Sequence, residues 1–148
     1  MTEDLGRAKL SLRATTLSAA YRRGDVDPVD VVNEVLRRMA ARGADRVWVQ
    51  TADPGHLRAQ ARALRERLAD IDSLPLYGLP FGVKDNVDVA DMPTTCGCAG
   101  FDRYPETSAS AVQRALDAGA LFVGKQTLDQ FATGLNGTRT IGGHCLNV

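Results

Sequence analysis

The sequence has few aromatic residues, few cysteines and no excess of either charge. Aromatic side chains make up 5% of the chain, so aliphatic residues and alanine must fill most of any core. The 18 basic and 18 acidic residues give a formal net charge of zero, which argues against a general attraction to nucleic acid or to an anionic membrane. No apolar run approaches the roughly 20 residues of a membrane-spanning helix, so we expect no membrane partner.

The cysteine count and the N-terminus predict a cytoplasmic protein. Three cysteines, an odd number, fit reduced thiols better than a disulfide framework. The first residues of the chain include Glu3 and Asp4 and lack the apolar segment of a secretory signal.

Helix signals fill the first half of the sequence. Thr16 is a candidate cap for a short helix that ends before Gly24. Asp27-Pro28 and Asp53-Pro54 each predict a helix start, and Gly43 is expected to end the first of those two helices. The predicted inward-facing residues are Val29, Val32, Leu36 and Met39, followed by Leu57, Ala61, Leu64 and Leu68. The helix that starts at Asp53-Pro54 carries arginines on its other faces. We interpret them as a solvated surface rather than a nucleic-acid site.

Short strands and one further helix are expected in the second half. Residues 47–49, 81–83, 87–89 and 120–124 have strand patterns, and the last is a continuous apolar run that suits a strand covered on both faces. The last long helix is predicted to start at Thr107, Ser108 or Ser110 and to end at Gly119. Its expected inward-facing residues are Ala109, Val112 and Leu116. One or two helical turns are predicted within residues 128–133, and a glycine-rich loop follows.

This order of elements predicts an α/β fold with a mixed sheet flanked by helices. We assign residues 1–148 to a single domain, with a helical part at 1–70 and an α/β part at 71–148. With 81–83 and 87–89 counted as pieces of one interrupted strand, three strand segments are few for a sheet covered on both faces. Two interpretations stay open, the first portion of a larger domain and a small complete domain with a loose tail.

Lys84 is the main candidate for chemistry. It ends an apolar stretch, and a lysine followed by Asp-Asn most often marks a strand that enters a turn. As a catalytic base it would have to be buried and deprotonated, because desolvation disfavours the ammonium form. Cys96, Cys98, His144 and Cys145 have poor spacing for a zinc site, and no His–Asp arrangement accompanies a cysteine, so we expect no metal.

Several segments resemble the amidase signature family. Residues 79–86 read Leu-Pro-Phe-Gly-Val-Lys-Asp-Asn, which is similar to the lysine motif of that family, and residues 93–98 resemble the small-residue segment that follows it. Residues 118–125 resemble the helix-to-strand step that ends in Gly-Lys. Residues 129–139 are most similar to the allophanate hydrolase branch.

The resemblance implies amide hydrolysis by a serine–cis-serine–lysine triad. Lys84 would be the lysine, and the full-length enzyme would split allophanate to ammonia and carbon dioxide downstream of a urea carboxylase. No cofactor is implied, and a homodimer is compatible with the resemblance. Two features depart from the family, namely Gln126-Thr127 in place of Thr-Asn and the absence of any serine after Ser110. We therefore expect a truncated chain that is inactive by itself.

Two alternatives to the allophanate hydrolase assignment stay open. The chain could come from another amidase branch, such as a broad amidase or an amidotransferase subunit. It could also be a non-catalytic remnant, or a module that pairs with a separate chain carrying the serines.

Overall fold

Four helices and three strands make up the described part of the protein. The computed structural model describes residues 10–140 and 142–146 of the 148-residue chain. In chain order the elements are α1 (Ala14–Arg23), α2 (Pro28–Arg42), β1 (Trp48–Thr51), α3 (Pro54–Arg65), a 3₁₀ helix (Leu68–Ser73), β2 (Pro80–Lys84), α4 (Ser110–Asp117), β3 (Leu121–Gln126) and a second 3₁₀ helix (Gln130–Ala132).

The start of α2 follows from its sequence. One carboxylate oxygen of Asp27 accepts the backbone N–H groups of Val29 at 2.7 Å and Asp30 at 2.9 Å. The Asp30 carboxylate in turn accepts the backbone N–H of Asp27 at 3.2 Å. This reciprocal pair is a capping box, which satisfies N–H groups that have no partner within the helix. The predicted start at Pro28 and the predicted end at Gly43 are confirmed.

The other two N-terminal helices agree with the sequence less completely. The Asp53 carboxylate caps α3 by accepting the backbone N–H of His56 at 2.7 Å, as Asp53-Pro54 predicted. Leu68 was expected on the buried stripe, but it lies beyond the end of α3 and is 44% exposed. The predicted Thr16 cap was also wrong, because α1 begins at Ala14, with Arg13 at the cap position and no side-chain cap.

The sheet is mixed, and β3 is its central strand. The strand order is β1-β3-β2, with β1 antiparallel and β2 parallel to β3. Residues 121–125 of β3 are all buried, as expected for a strand covered on both faces. The α/β fold with a mixed sheet is therefore confirmed.

Two apolar clusters lie against the sheet. The larger one is formed by α1, α2 and α3 with Leu121 and Val123 of β3. The smaller one joins Val83 of β2, Val112 of α4 and Phe122 of β3. Because neighbouring residues of a strand face opposite sides, β3 contributes to both clusters, with Phe122 on one side and its two neighbours on the other.

Predictions in the second half were confirmed only in part. Residues 87–89 form no strand, and Val89 makes only an isolated bridge with Met92. α4 starts at Ser110, the last of the three predicted starts, but it has neither the expected capping box nor any side-chain cap. Its entry is fixed instead from outside the helix, where the Ala109 backbone N–H donates to the Asp88 carbonyl at 3.0 Å.

Within residues 10–140 and 142–146, no helix is both long enough and apolar enough to cross a membrane.

Candidate active site

Lys84 is the last residue of β2. Within the part of the chain that the structure describes, β2 is an edge strand, paired only with β3. The side chain of Lys84 is exposed, whereas those of its neighbours Val83 and Asp85 are buried. The burial that a catalytic base would require is therefore not found in the described chain, where the Lys84 side chain is exposed.

The neighbouring Asp85 forms a buried ion pair with Lys125 of β3. The Lys125 Nζ and Asp85 Oδ1 atoms are 3.3 Å apart, and both side chains are 0% exposed. The Lys125 ammonium also donates to the Pro93 carbonyl at 3.0 Å and to the Thr94 hydroxyl at 2.8 Å. The ammonium therefore has two hydrogen-bond acceptors and one ionic partner.

The second carboxylate oxygen of Asp85 holds the loop that follows. It accepts the Thr95 hydroxyl and, at 3.4 Å, the backbone N–H of Gly97. The Asp85 backbone carbonyl accepts the N–H of Cys96 at 3.4 Å. Loop 93–98, defined by those residue numbers, is therefore attached to Asp85 and Lys125 at several points.

Thr94 extends this polar network toward the surface. Its hydroxyl accepts from Lys125 and donates to Asp88 at 2.8 Å. Burial raises the pKa of Asp88, but the hydrogen bonds from Thr94 and Arg103 outweigh it, and the net pKa lies below the ordinary value. Asp88 thus stays ionised next to the arginine over a wide pH range.

A second loop, defined as residues 129–139 and containing the second 3₁₀ helix, packs against loop 93–98. Phe131 donates its backbone N–H to the Cys96 carbonyl at 2.8 Å. Cys96, Phe131 and Ala132 have φ angles of 53°, 51° and 57°, in the left-handed region that costs energy for residues with a Cβ. Such strain persists only where surrounding contacts impose it, and it is enriched at functional sites.

Asp129 organises the second loop. Its carboxylate accepts the backbone N–H groups of Arg139 at 2.7 Å, Gly137 at 2.9 Å and Asn136 at 3.1 Å. The bond from Arg139 is the main reason that the pKa of Asp129 lies below its ordinary value. The glycine-rich segment predicted as a loop is therefore a loop held by one carboxylate.

The cysteines and His144 do not form a metal centre in the described chain. All three cysteines are free thiols. No group of three or more His, Cys, Asp or Glu side chains with metal-binding geometry occurs among residues 10–140 and 142–146. Burial, followed by the charge of Asp85, raises the pKa of the Cys96 thiol, so this thiol is less ionised than an exposed one.

Sequence reasoning missed Lys125 and Asp85. Residues 120–124 were interpreted as the strand, which left Lys125 outside it. The observed β3 extends to Gln126 and includes Lys125. The available signal was position, because a residue that directly continues a fully covered apolar run is itself a candidate for burial. The partners that make this burial tolerable come from residues 85, 93 and 94, and no local pattern links them.

The amidase family model matches residues 30–147, which is more than half of the sequence. The chain therefore belongs to the amidase family, and the resemblance found in the sequence is confirmed.

Three similar proteins place the chain more closely. Urea amidolyase from Lachancea kluyveri is 40% identical over 106 residues, covering 72% of this chain and 6% of that protein. A glutamyl-tRNA(Gln) amidotransferase subunit from Deinococcus deserti is 36% identical over 135 residues, covering 90% of this chain and 27% of that protein. The structure of Kluyveromyces lactis allophanate hydrolase matches with a TM-score of 0.73 and 31% identity, covering 92% of this chain and 22% of that chain. The chain thus spans between about a twentieth and about a quarter of the length of these relatives.

Proposed function

We propose that this chain supplies the lysine-bearing part of an amide-hydrolysing site whose substrate is allophanate. The observation that carries the proposal is the position of Lys84. It ends a parallel strand at an open sheet edge, within a segment that belongs to the amidase family. Ligand sites of α/β sheets lie at the carboxyl ends of parallel strands, and β2 presents such an end.

In the proposed reaction Lys84 acts as a base. It accepts a proton from a bridging cis-serine, which takes the proton of the nucleophilic serine as that oxygen attacks the amide carbonyl. The C–N bond then breaks, ammonia leaves with the returned proton, and water hydrolyses the acyl-enzyme. Both serines would come from polypeptide outside these 148 residues, because no serine follows Ser110.

The cover that Lys84 lacks here would come from the same additional polypeptide. A lysine base must lose its proton near neutral pH, and desolvation is the usual cause. The proposal therefore predicts that the 148-residue chain alone releases no ammonia from allophanate. Release that disappears in Lys84→Ala would contradict this prediction.

A chimera tests the assignment of Lys84. Residues 10–140 would replace the matching segment of Kluyveromyces lactis allophanate hydrolase, and ammonia release from allophanate would be measured. We expect activity in the chimera, and Lys84→Ala should lower kcat by about 10³-fold or more, since removal of a triad member has effects of this order. A chimera that melts cooperatively but releases no ammonia, or one that Lys84→Ala leaves unchanged, would refute the proposal.

A second candidate function is that of an amidotransferase subunit, because one such subunit is 36% identical over 90% of this chain. The same chimera distinguishes the two candidates, because an amidotransferase-like chain should support ammonia release from glutamine better than from allophanate.

Four further expectations stay predictions of the sequence. They are the cytoplasmic location, the homodimer, the single domain over 1–148 and the pathway link to a urea carboxylase.

A further inference from the structure

The ion pair of Asp85 and Lys125 joins three parts of the chain at the residue directly after Lys84. Lys125 belongs to the central strand, Asp85 begins the turn after β2, and Pro93 and Thr94 begin loop 93–98. We infer that Asp85 and Lys125 are positioning residues, which fix where the backbone of Lys84 leaves the sheet and where loop 93–98 lies beside it. This inference rests on the proposed role of Lys84.

Both the backbone and the side chain of Asp85 are fixed. Its N–H donates to the Gln126 carbonyl at 2.9 Å, and its carbonyl accepts from Cys96. The turn after β2 is closed by a hydrogen bond from the Val87 N–H to the Lys84 carbonyl at 2.9 Å. Lys84 is therefore held by the β2–β3 pairing on one side and by an anchored turn on the other, so only its side-chain torsions stay free.

The ion pair of Lys125 and Asp85 provides directional hydrogen bonds that an apolar pair could not. Apolar side chains of similar volume commonly stabilise a core as well as a buried ion pair does, or better. Apolar side chains impose no direction, whereas the ammonium of Lys125 donates hydrogen bonds to the Pro93 carbonyl and the Thr94 hydroxyl. Among the described residues, Asp85 Oδ1 has no hydrogen bond, so its compensation is the charge of Lys125 at 3.3 Å.

The strained backbone of loop 93–98 supports the same inference. Cys96 keeps a left-handed φ of 53° although it carries a Cβ. Its N–H is bound by Asp85, and its neighbours Thr95 and Gly97 both donate to the Asp85 carboxylate. Since strain persists where contacts over-determine a residue, releasing Asp85 should let this loop relax.

The test uses the 148-residue chain and the double variant Asp85→Leu/Lys125→Met. This variant removes both charges together, so the net charge is unchanged, and it keeps the buried volume similar. Hydrogen exchange at the amides of Val87 and Cys96 reports the turn and the loop.

We expect the double variant to melt cooperatively while the Val87 and Cys96 amides exchange at least about tenfold faster, the factor for losing a buried hydrogen bond. Leu57→Ala, which weakens the larger apolar cluster, is the matched control, and in it the two amides should exchange no faster than its loss of global stability requires. A folded double variant with wild-type exchange would overturn the inference.

Thr95→Val provides a second route if the double variant does not fold. It removes the hydroxyl that donates to Asp85 and accepts the Gly97 N–H at 3.3 Å. This change should raise Cys96 amide exchange by about threefold, an effect at the lower end for one hydrogen bond. Wild-type exchange in this variant would also overturn the inference.

These measurements need no substrate, so they are independent of the proposed function. A chimera without ammonia release would remove the proposed function and leave the exchange results in place. In an active chimera, the double variant should lower kcat by about a hundredfold with little change in KM, as small misplacements of reacting groups do. An equal loss through KM alone would contradict a positioning role.

Discussion

At the scale of single residues, two lysines on paired strands have opposite surroundings. Lys84 pairs with Gln126 and Val83 pairs with Lys125, so the two lysines lie one step apart in the register. Lys84 is exposed at the edge, and Lys125 is fully buried at the centre. The sequence singled out Lys84 because its motif is local. Lys125 could not be found in that way, since its burial depends on oxygens contributed by segments more than 30 residues away.

Asp129 should make the second loop sensitive to acid. The backbone N–H of Arg139, and then those of Gly137 and Asn136, keep the folded-state pKa of Asp129 below its ordinary value of 3.8, although burial opposes them. The stabilisation is therefore fully present above pH 3.8 and is lost as the pH falls through the folded-state pKa. The amide NMR shifts of Gly137 and Arg139 should stay constant down to that region and change below it.

Asp129→Asn is the control for this acid response. The amide cannot ionise, so the Gly137 and Arg139 signals of the variant should show no titration step that belongs to residue 129. A step above pH 3.8 in the wild-type protein, or the same step in both proteins, would contradict the assignment.

At the scale of elements, the sequence predicted the starts of the helices with side-chain caps more sharply than those of α1 and α4, which have none. Asp27 and Asp53 accept N–H groups at the starts of α2 and α3, and the Asp-Pro pattern lies directly at each of these starts. The start of α4 after Ala109 depends on a backbone bond to Asp88, 21 residues earlier in the chain. Thr107 and Ser108 are good capping residues by type, which is why the sequence left three possible starts for this helix.

Gly124→Ala should disrupt the pairing of β1 with β3. A Cβ at residue 124 would lie 2.5 Å from the Gln50 carbonyl oxygen and 2.9 Å from the Thr51 Cα. Both are backbone atoms of β1, so the strand itself would have to move. We expect a loss of about 3 kcal/mol in the free energy of unfolding, at the upper end for overpacking, measured by urea denaturation.

Gly82→Ala is the matched control, since Gly82 lies opposite Gly124 in the β2–β3 register. A Cβ at residue 82 would meet the side chain of Gln126 at 2.9 Å, and a flexible side chain can turn away. The loss should be about 1 kcal/mol, at the lower end of the same range. Equal losses in the two variants would show that backbone contact is not the cause.

At the scale of the whole molecule, β3 makes the two apolar clusters interdependent. Leu121 and Val123 belong to one cluster and Phe122 to the other. Loss of packing on either side should therefore destabilise the same central strand, and we expect the described elements to unfold together.

Val112→Ala tests this interdependence. The residue is 3% exposed in the smaller cluster, and truncation should cost about 2 kcal/mol, near the lower end for large-to-small core changes. That loss corresponds to a fall in Tm of roughly 5 °C for a chain of this size. Trp48, the single tryptophan, packs on the larger cluster, and its fluorescence should report the same fall as far-UV circular dichroism. A shift seen by only one of the two probes would mean that the clusters unfold separately.

The indole of Trp48 lies over two strands that present glycine to it. Its ring atoms would be 3.1 Å from a Cβ at residue 82 and 3.1 Å from one at residue 124. The side chains at these three positions fill the same space, so a larger side chain at one position requires a smaller one at another. During evolutionary drift they should change as a set, and a homologue with a bulkier residue at either glycine position should carry a smaller one in place of the tryptophan.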